Sequence, residues 1–453
     1  MACGCEISSL TYYIKKSVNK DCEVKIMQML LSLSIALFAG LMLSRLAKVV
    51  KLPAVTAYLV AGILIGPYLL GAFDVKGLGF VSMEDIQSYS ILCDVALGFI
   101  AFSIGNEFRL SQLKKTGKQA TVIGIFQAVF TTILVDAALI GLHFIIPKQL
   151  PLPSAIVLGA VASATAPAAT LMVVRQYKAK GPVTDILLPI VALDDAVGLV
   201  LFAVSFGVSK ALISGKVDIL SVVLEPIVEV VGSLLLGAIM GFLFNFFERF
   251  FHSRSKRLAM SVTFVLMTVA LSQITFTVGG VHVAFSSLLV CMMLGTVFCN
   301  VCDFSEELMD RVDRWTAPLF ILFFVLSGAE LELSTFQNVL VVCVGLVYIL
   351  FRSAGKYFGA TISAKATKCD PNIVKYLGIT LLPQAGVALG MAMIAEALGS
   401  AGAIVANITL FSVLIYELVG PFLTKVALLK AGEIKPEGKV SARHTFLNTK
   451  KVH

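Results

Sequence analysis

The chain has 453 residues, 58% hydrophobic and only 14% charged, with a mean hydropathy of +0.93. A soluble globular chain is about a quarter charged and roughly half apolar, so this composition excludes an ordinary water-soluble enzyme. The net charge of +8 does not indicate nucleic acid, because the basic residues sit in short strips between long apolar runs, as membrane topology requires.

The runs predict an all-α polytopic membrane protein of about thirteen transmembrane helices, each long enough to cross the hydrocarbon. Residues 1–25 form a polar N-terminal segment with no apolar core before Ile26, so they do not read as a cleavable signal peptide. Met27 and Met29 open the first run and are alternative starts, which would make the first 25 residues an extension without function. The spans cover roughly 26–47, 53–72, 86–106, 119–146, 152–174, 184–212, 220–247, 257–277, 281–301, 315–329, 337–364, 373–398 and 402–426. Together they make one transmembrane domain, 26–428, followed by a short tail, 429–453. Most of the 36 Lys and Arg lie at the odd-to-even junctions and in the tail. The positive-inside rule then places the N-terminus outside and the C-terminus in the cytoplasm. The net acidic strip 302–314 is the weak point of that assignment.

A repeat is visible at the end of the third span. Gly105-Asn106-Glu107-Phe108-Arg109-Leu110-Ser111 matches Gly328-Ala329-Glu330-Leu331-Glu332-Leu333-Ser334, at the end of the tenth span, as G-x-E-x-x-L-S. Copies an odd number of spans apart have opposite topology. The pattern therefore predicts an inverted repeat, about 53–212 and 281–426, of the kind that secondary transporters build around a central site. The fifth and twelfth spans carry matching irregularities: Ala162-Ser163-Ala164-Thr165-Ala166-Pro167-Ala168 and Leu382-Pro383-Gln384-Ala385-Gly386. Proline inside a helix removes a backbone donor and clashes with the preceding turn. Small and polar neighbours leave room for unwound backbone. Two such places in matching positions predict discontinuous helices, with Thr165, Ala166, Pro167, Pro383 and Gln384 at the breaks; simple kinks are the blander reading.

Charges within spans are costly and need a reason. Asp194 and Asp195 sit in the sixth span, and neighbouring helical residues point about 100° apart, so the two carboxylates serve different faces. One can pair with a base while the other faces a cavity. The eleventh span supplies Arg352 and Lys356, four residues apart and hence on one face. Two acids and two bases sum to zero. Lysine can release its proton when buried, whereas arginine stays charged, which makes Lys356 a candidate proton carrier and Arg352 a structural charge partner. A structural ion-pair lock is the competing reading. Asp94, Asp136, Glu396 and Glu417 are further intramembrane acids. Asp136 is a candidate partner for Arg352, and Glu417 is roughly the repeat mate of the aspartate pair. Structural pairing is the favoured role for each of these acids. The nine cysteines are scattered. Cys299 and Cys302 form a lone CxxC without a second pair at zinc spacing, and the five histidines form no ligand pattern, so neither metal nor cofactor is expected.

These residues resemble the monovalent cation:proton antiporter superfamily, in particular its bacterial Na+/H+ antiporter branch with a double aspartate. The likeness spans about 30 to 428. It rests on Tyr58-Leu59-Val60-Ala61-Gly62-Ile63-Leu64-Ile65-Gly66-Pro67, Ala164-Thr165-Ala166-Pro167, Asp194-Asp195, Gly355-Lys356 and Pro383-Gln384-Ala385-Gly386-Val387. The resemblance implies a six-helix core domain moving against a dimer-forming domain, hence a homodimer, with broken helices crossing near the site. It implies that Asp195 binds a cation and protons in turn and that Asp194 pairs with Lys356. It also implies that the double aspartate marks electrogenic exchange. Arg352 and Lys356 occur together here, whereas relatives of different branches emphasise one or the other, so the base that pairs with Asp194 stays open.

The leading expectation is therefore secondary active exchange of Na+ or Li+ for protons across the cell membrane by alternating access. A K+/H+ antiporter of the same fold is the runner-up. A passive cation channel would need no proton-titrating pair, and a sodium-coupled symporter would need a roomier cavity. The resemblance extends to potassium efflux relatives with a nucleotide-binding domain, but only about 25 residues follow the last span and they contain no GxGxxG, so no nucleotide partner is expected.

Overall fold

In an apolar medium every backbone N–H and C=O must be satisfied within its own segment, and helices achieve this. The computed structural model describes residues 27–434 apart from 51, 74–78, 107, 215–218, 279–280, 303–304 and 332–337. The N-terminal segment, most of the tail, Glu107 and residues 332–334 of the repeated motif thus lie outside the described residues. Nine helices among the described residues are long and apolar enough to cross a membrane, and four shorter apolar helices accompany them. In chain order the helices are α1 (Met27–Val49), α2 (Ala54–Ile65), α3 (Met83–Gln87), α4 (Ser90–Gly105), α5 (Leu110–Ile145), α6 (Leu152–Val161), α7 (Pro167–Tyr177), α8 (Pro182–Ser214), α9 (Ile219–Glu248), α10 (Arg254–Ser272), α11 (Ser287–Val301), α12 (Ser305–Ala329), α13 (Val339–Ala366), α14 (Pro371–Thr380), α15 (Gly386–Ala395) and α16 (Ser400–Lys430).

Four helix ends stand well away from the ends of the apolar runs. α5 and α12 begin at Leu110 and Ser305, well before 119 and 315. In α12 the extension is polar, and Glu306 and Glu307 in its first turn suit the positive end of the helix dipole. A helix does not stop where its apolar stretch stops. Conversely, the eighth and ninth spans end and begin too far into their junction. α10 stops at Ser272, and a short antiparallel hairpin follows, β1 (Phe276–Val278) with β2 (Val281–Val283), in register Phe276 with Val283. Its β-branched and aromatic residues flank Gly279-Gly280, a dipeptide that tight hairpins favour.

The helices form two layers. α1, α2, α4 and α9–α12 share one apolar core. α5, α6, α8 and α13–α16 enclose two others. In the first layer α2 and α12 approach closely because Gly62 and Gly328 face each other's helix, where a Cβ would collide with backbone; small residues permit such contacts within membranes. The seam between the layers is lined by Ala168, Ala169 and Leu171 of α7 and Leu188 and Ala192 of α8, which pack into the first layer's core. At one end of the seam Gln176 Oε1 accepts the Ala54 N–H at 2.8 Å. There too Arg175 Nη1 meets Asp313 Oδ1 at 2.5 Å, with Ser103 Oγ donating to the same oxygen at 3.4 Å.

Candidate functional site at the crossing of two broken helices

The fifth span is two half-helices. α6 ends at Val161, α7 begins at Pro167, and the chain between is not helical. Proline suits the first helical position, where its missing N–H is not needed. The twelfth span likewise splits into α14 and α15, with 381–385 between them. The two unwound segments touch: Ala166 N–H donates to Pro383 O at 2.8 Å. Discontinuous crossing helices are thus present, and the proline positions are breaks, not kinks.

α13 lies beside the crossing with Arg352 and Lys356 both 0% exposed. Their shared face does not give them a shared partner. Arg352 donates Nε to Ala162 O (3.0 Å), Nη2 to Ala164 O (2.7 Å) and Nη1 to Leu382 O (2.8 Å). It also lies 4.3 Å from the centroid of the Tyr416 ring. The guanidinium therefore ties both breaks together and sits at the carbonyl ends of α6 and α14, which carry partial negative charge. Lys356 Nζ donates to Ser163 O (2.5 Å), Thr165 Oγ1 (2.9 Å) and Asp194 Oδ2 (3.0 Å). An ammonium has three donors, and all three are used. The base paired with Asp194 is thus Lys356.

The two aspartates differ sharply. Asp194 is completely buried and saturated. Besides Lys356 it accepts Thr165 Oγ1 at 2.6 Å, and its Oδ1 accepts Gln127 Nε2 from α5. Asp195 is 1% exposed, and neither of its oxygens has a hydrogen-bond partner. Since Arg352 is engaged with carbonyls and Lys356 with Asp194, the count of two acids against two bases does not neutralise Asp195. A buried carboxylate left so needs a proton or a cation beside it.

Gln384 supports the crossing from behind, donating Nε2 to Val161 O (3.0 Å) and to Tyr348 Oη (2.9 Å) while Oε1 accepts from Ser412 (3.4 Å). The proposed partnership of Asp136 with Arg352 does not occur: no ion pair joins them, and Asp136 Oδ1 is buried without a partner, its carboxylate against Gly159 of α6. Glu417 is not structurally paired either; it is 5% exposed and its Oε2 has no partner. Asp94 and Glu396 are exposed. Gln127, Tyr348, Ser412 and Tyr416 were not among the expected site residues. For Gln127 a signal existed, since an uncharged amide deep in an apolar span also needs partners.

Crossing half-helices with buried acids on α8 and bases on α13 beside them define a secondary transporter with an inverted repeat. Residues 33–430 match the transmembrane sodium/hydrogen exchanger family, and the chain belongs to that family. It is a multi-pass membrane protein and a cation/proton antiporter. It is 22% identical to the K(+)/H(+) antiporter subunit KhtU of Bacillus subtilis, over 84% of this chain and 89% of that protein. It is also 22% identical to the Na(+)/H(+) antiporter NhaS4 of Synechocystis, over 76% of this chain and 83% of that one. Its fold is similar to that of the sodium proton antiporter MjNhaP1 of Methanocaldococcus jannaschii, with a TM-score of 0.65 and 18% identity over 90% and 99% of the two chains.

Proposed function

We propose that the protein exchanges Na+ or Li+ for protons, electrogenically and by alternating access, with Asp195 as the group at which cation and proton compete. The observation that carries this reading is the contrast within the aspartate pair: one carboxylate saturated, its neighbour equally buried and without a partner. Asp194 and Lys356 form an ion pair that breaks when a cation engages the aspartates, and Lys356 then gives up its proton. The second layer, carrying α5–α8 and α13–α16, moves against the first, which forms the contact of a homodimer. The N-terminus lies outside and the C-terminus in the cytoplasm, on the distribution of Lys and Arg. The repeats run from about 53 to 212 and from about 281 to 426.

K+/H+ exchange on the same site is the second reading, favoured by the likeness to KhtU. The test is cation-driven proton flux in proteoliposomes, comparing Na+, Li+ and K+, for the wild type and Asp195→Asn. Exchange should disappear in Asp195→Asn while the protein inserts and purifies as the wild type does. Retained flux in that variant would sink the assignment.

A further inference from the structure

The mechanism above leaves a deeply buried acid of α16 unused. Glu417 lies in the middle of α16, 5% exposed, with Oε2 unpartnered and no ion pair to a basic group among the described residues. Its neighbours place it at the seam between the layers. Thr56 Oγ1 of α2 donates to the carbonyl of the adjacent Leu418 at 3.4 Å. α2 in turn packs on α12 through Gly62 and Gly328, and Glu330 follows directly after α12. Glu330 is half-buried and within electrostatic reach of Glu417. Beyond it, at the start of α4, Cys93 lies within reach of both Glu330 and Asp94, and Asp94 is exposed. Three acids thus run from the protein surface to the interior, exposed, half-buried and buried.

Among the described residues, the other elements packed on α16 offer Glu417 no ion-pair partner, and Lys375 of α14 lies over the Tyr376 ring instead, 5.2 Å from its centroid. α13 turns Arg352 and Lys356 to the breaks and Asp194. α7 turns Tyr177 to Lys425, two turns further along α16, at 4.9 Å from the ring centroid. A lone ionised carboxylate is expensive inside a membrane, and a second acid nearby adds to that cost. Carrying a proton removes it.

We propose that Asp94, Glu330 and Glu417 form a proton entry path from the α4 end of the molecule into the seam, with Glu417 as its inner, proton-carrying member. This rests on the antiport reading, and the experiment separates the two. Sealed vesicles of one orientation allow the pH on each side to be varied alone while cation-driven proton flux is followed. If the wild type shows no exchange, or Asp195→Asn keeps it, the antiport reading fails first. With those controls as expected, Glu417→Gln should still exchange. Its rate should respond differently to pH on the Asp94 side, with the midpoint displaced by about half a unit or more, because such profiles report the essential titrating groups. The dependence on pH at the opposite side should be unchanged, and Glu330→Gln should give a smaller displacement on the same side. An unchanged profile, an equal displacement on both sides, or a uniform fall in rate with no displacement overturns the proposal. Should Glu417→Gln fail to fold, carbodiimide, which modifies protonated carboxyls, serves on the wild type. Glu417 should be labelled, and less so as pH on the Asp94 side rises. Labelling of Asp195 but not of Glu417 overturns the proposal.

Discussion

The two helix breaks share a backbone plan and differ in chemistry. Each follows a half-helix of ten residues, each exposes carbonyls, and each contains or abuts a proline. The first break presents Ser163 O and the Thr165 hydroxyl to Lys356 and Asp194. The second offers Leu382 O to Arg352, Pro383 O to Ala166, and Gln384 to Val161 and Tyr348. One break faces the charges that react; the other holds the first in place. An inverted repeat thus supplies a symmetric frame, and side chains make it one-sided: the first half contributes the two aspartates, the second half the two bases.

The sharpest way to break this division is at Arg352, whose side chain is bonded to both breaks. Arg352→Gln leaves up to two of the three carbonyls without a donor. Each buried acceptor orphaned costs about 1–3 kcal/mol, so a loss of roughly 3 kcal/mol is expected, read as a fall in thermal unfolding temperature in detergent. If stability is retained while exchange alone is lost, Arg352 belongs to the reacting side and the division is wrong.

Lys356 lies one turn away and should behave differently. On the proposed cycle it carries a second proton, so one net charge moves per cation, and a potential of 100 mV biases exchange by about 2.3 kcal/mol, more than tenfold. Arginine stays protonated, and its planar fork does not reproduce three acceptors arranged around an ammonium. Lys356→Arg should keep the fold and make exchange less sensitive to potential. The measurement is Na+-driven proton flux with the potential clamped at about zero or −100 mV by potassium and valinomycin, after K+ has been excluded as a substrate. A wild type that ignores the potential rules out the two-proton scheme. Equal responses in wild type and variant move the second proton to another group.

Much of this was legible in the chain because membranes make polar residues conspicuous. Thirteen apolar runs gave the helices, and proline among small residues gave both breaks. Charges inside runs singled out Asp194, Asp195, Arg352 and Lys356. What could not be read were matters of direction. Arg352 and Lys356 share a face at a one-turn spacing, so periodicity cannot tell which reaches the carbonyls of Ala162, Ala164 and Leu382 and which reaches Asp194; that depends on where distant half-helices end. Asp136 was assigned to Arg352 on charge alone, and the carbonyl ends of α6 and α14 took that role instead. The hairpin at 276–283 was missed because its strands are apolar enough to extend the flanking spans.

The smallest expected effect concerns how the reacting helix is anchored. α8 carries both aspartates, and its first turn is held by a residue beyond the end of α16. Glu433 accepts the Val183 N–H (2.6 Å), the Thr184 N–H (2.8 Å) and Thr184 Oγ1 (2.6 Å), and its own carbonyl accepts the Lys180 N–H (3.1 Å). Gly181 leaves the space for this, since a Cβ there would come within 2.5 Å of Glu433 Cγ. A carboxylate on otherwise unbonded N–H groups at a helix start both caps it and opposes its dipole. Glu433→Gln keeps one acceptor oxygen and removes the charge, and should cost about 1 kcal/mol or less; Glu433→Ala removes both oxygens and should cost about 1 kcal/mol. If Glu433 only anchors the frame, both variants should unfold at lower temperature in that order, with cation affinity and pH profile unchanged. A shift in cation affinity that follows the charge, equal in Gln and Ala and absent in Glu433→Asp, would mean that the field at the start of α8 reaches the aspartates, and that frame and chemistry are not separable at this end of the molecule.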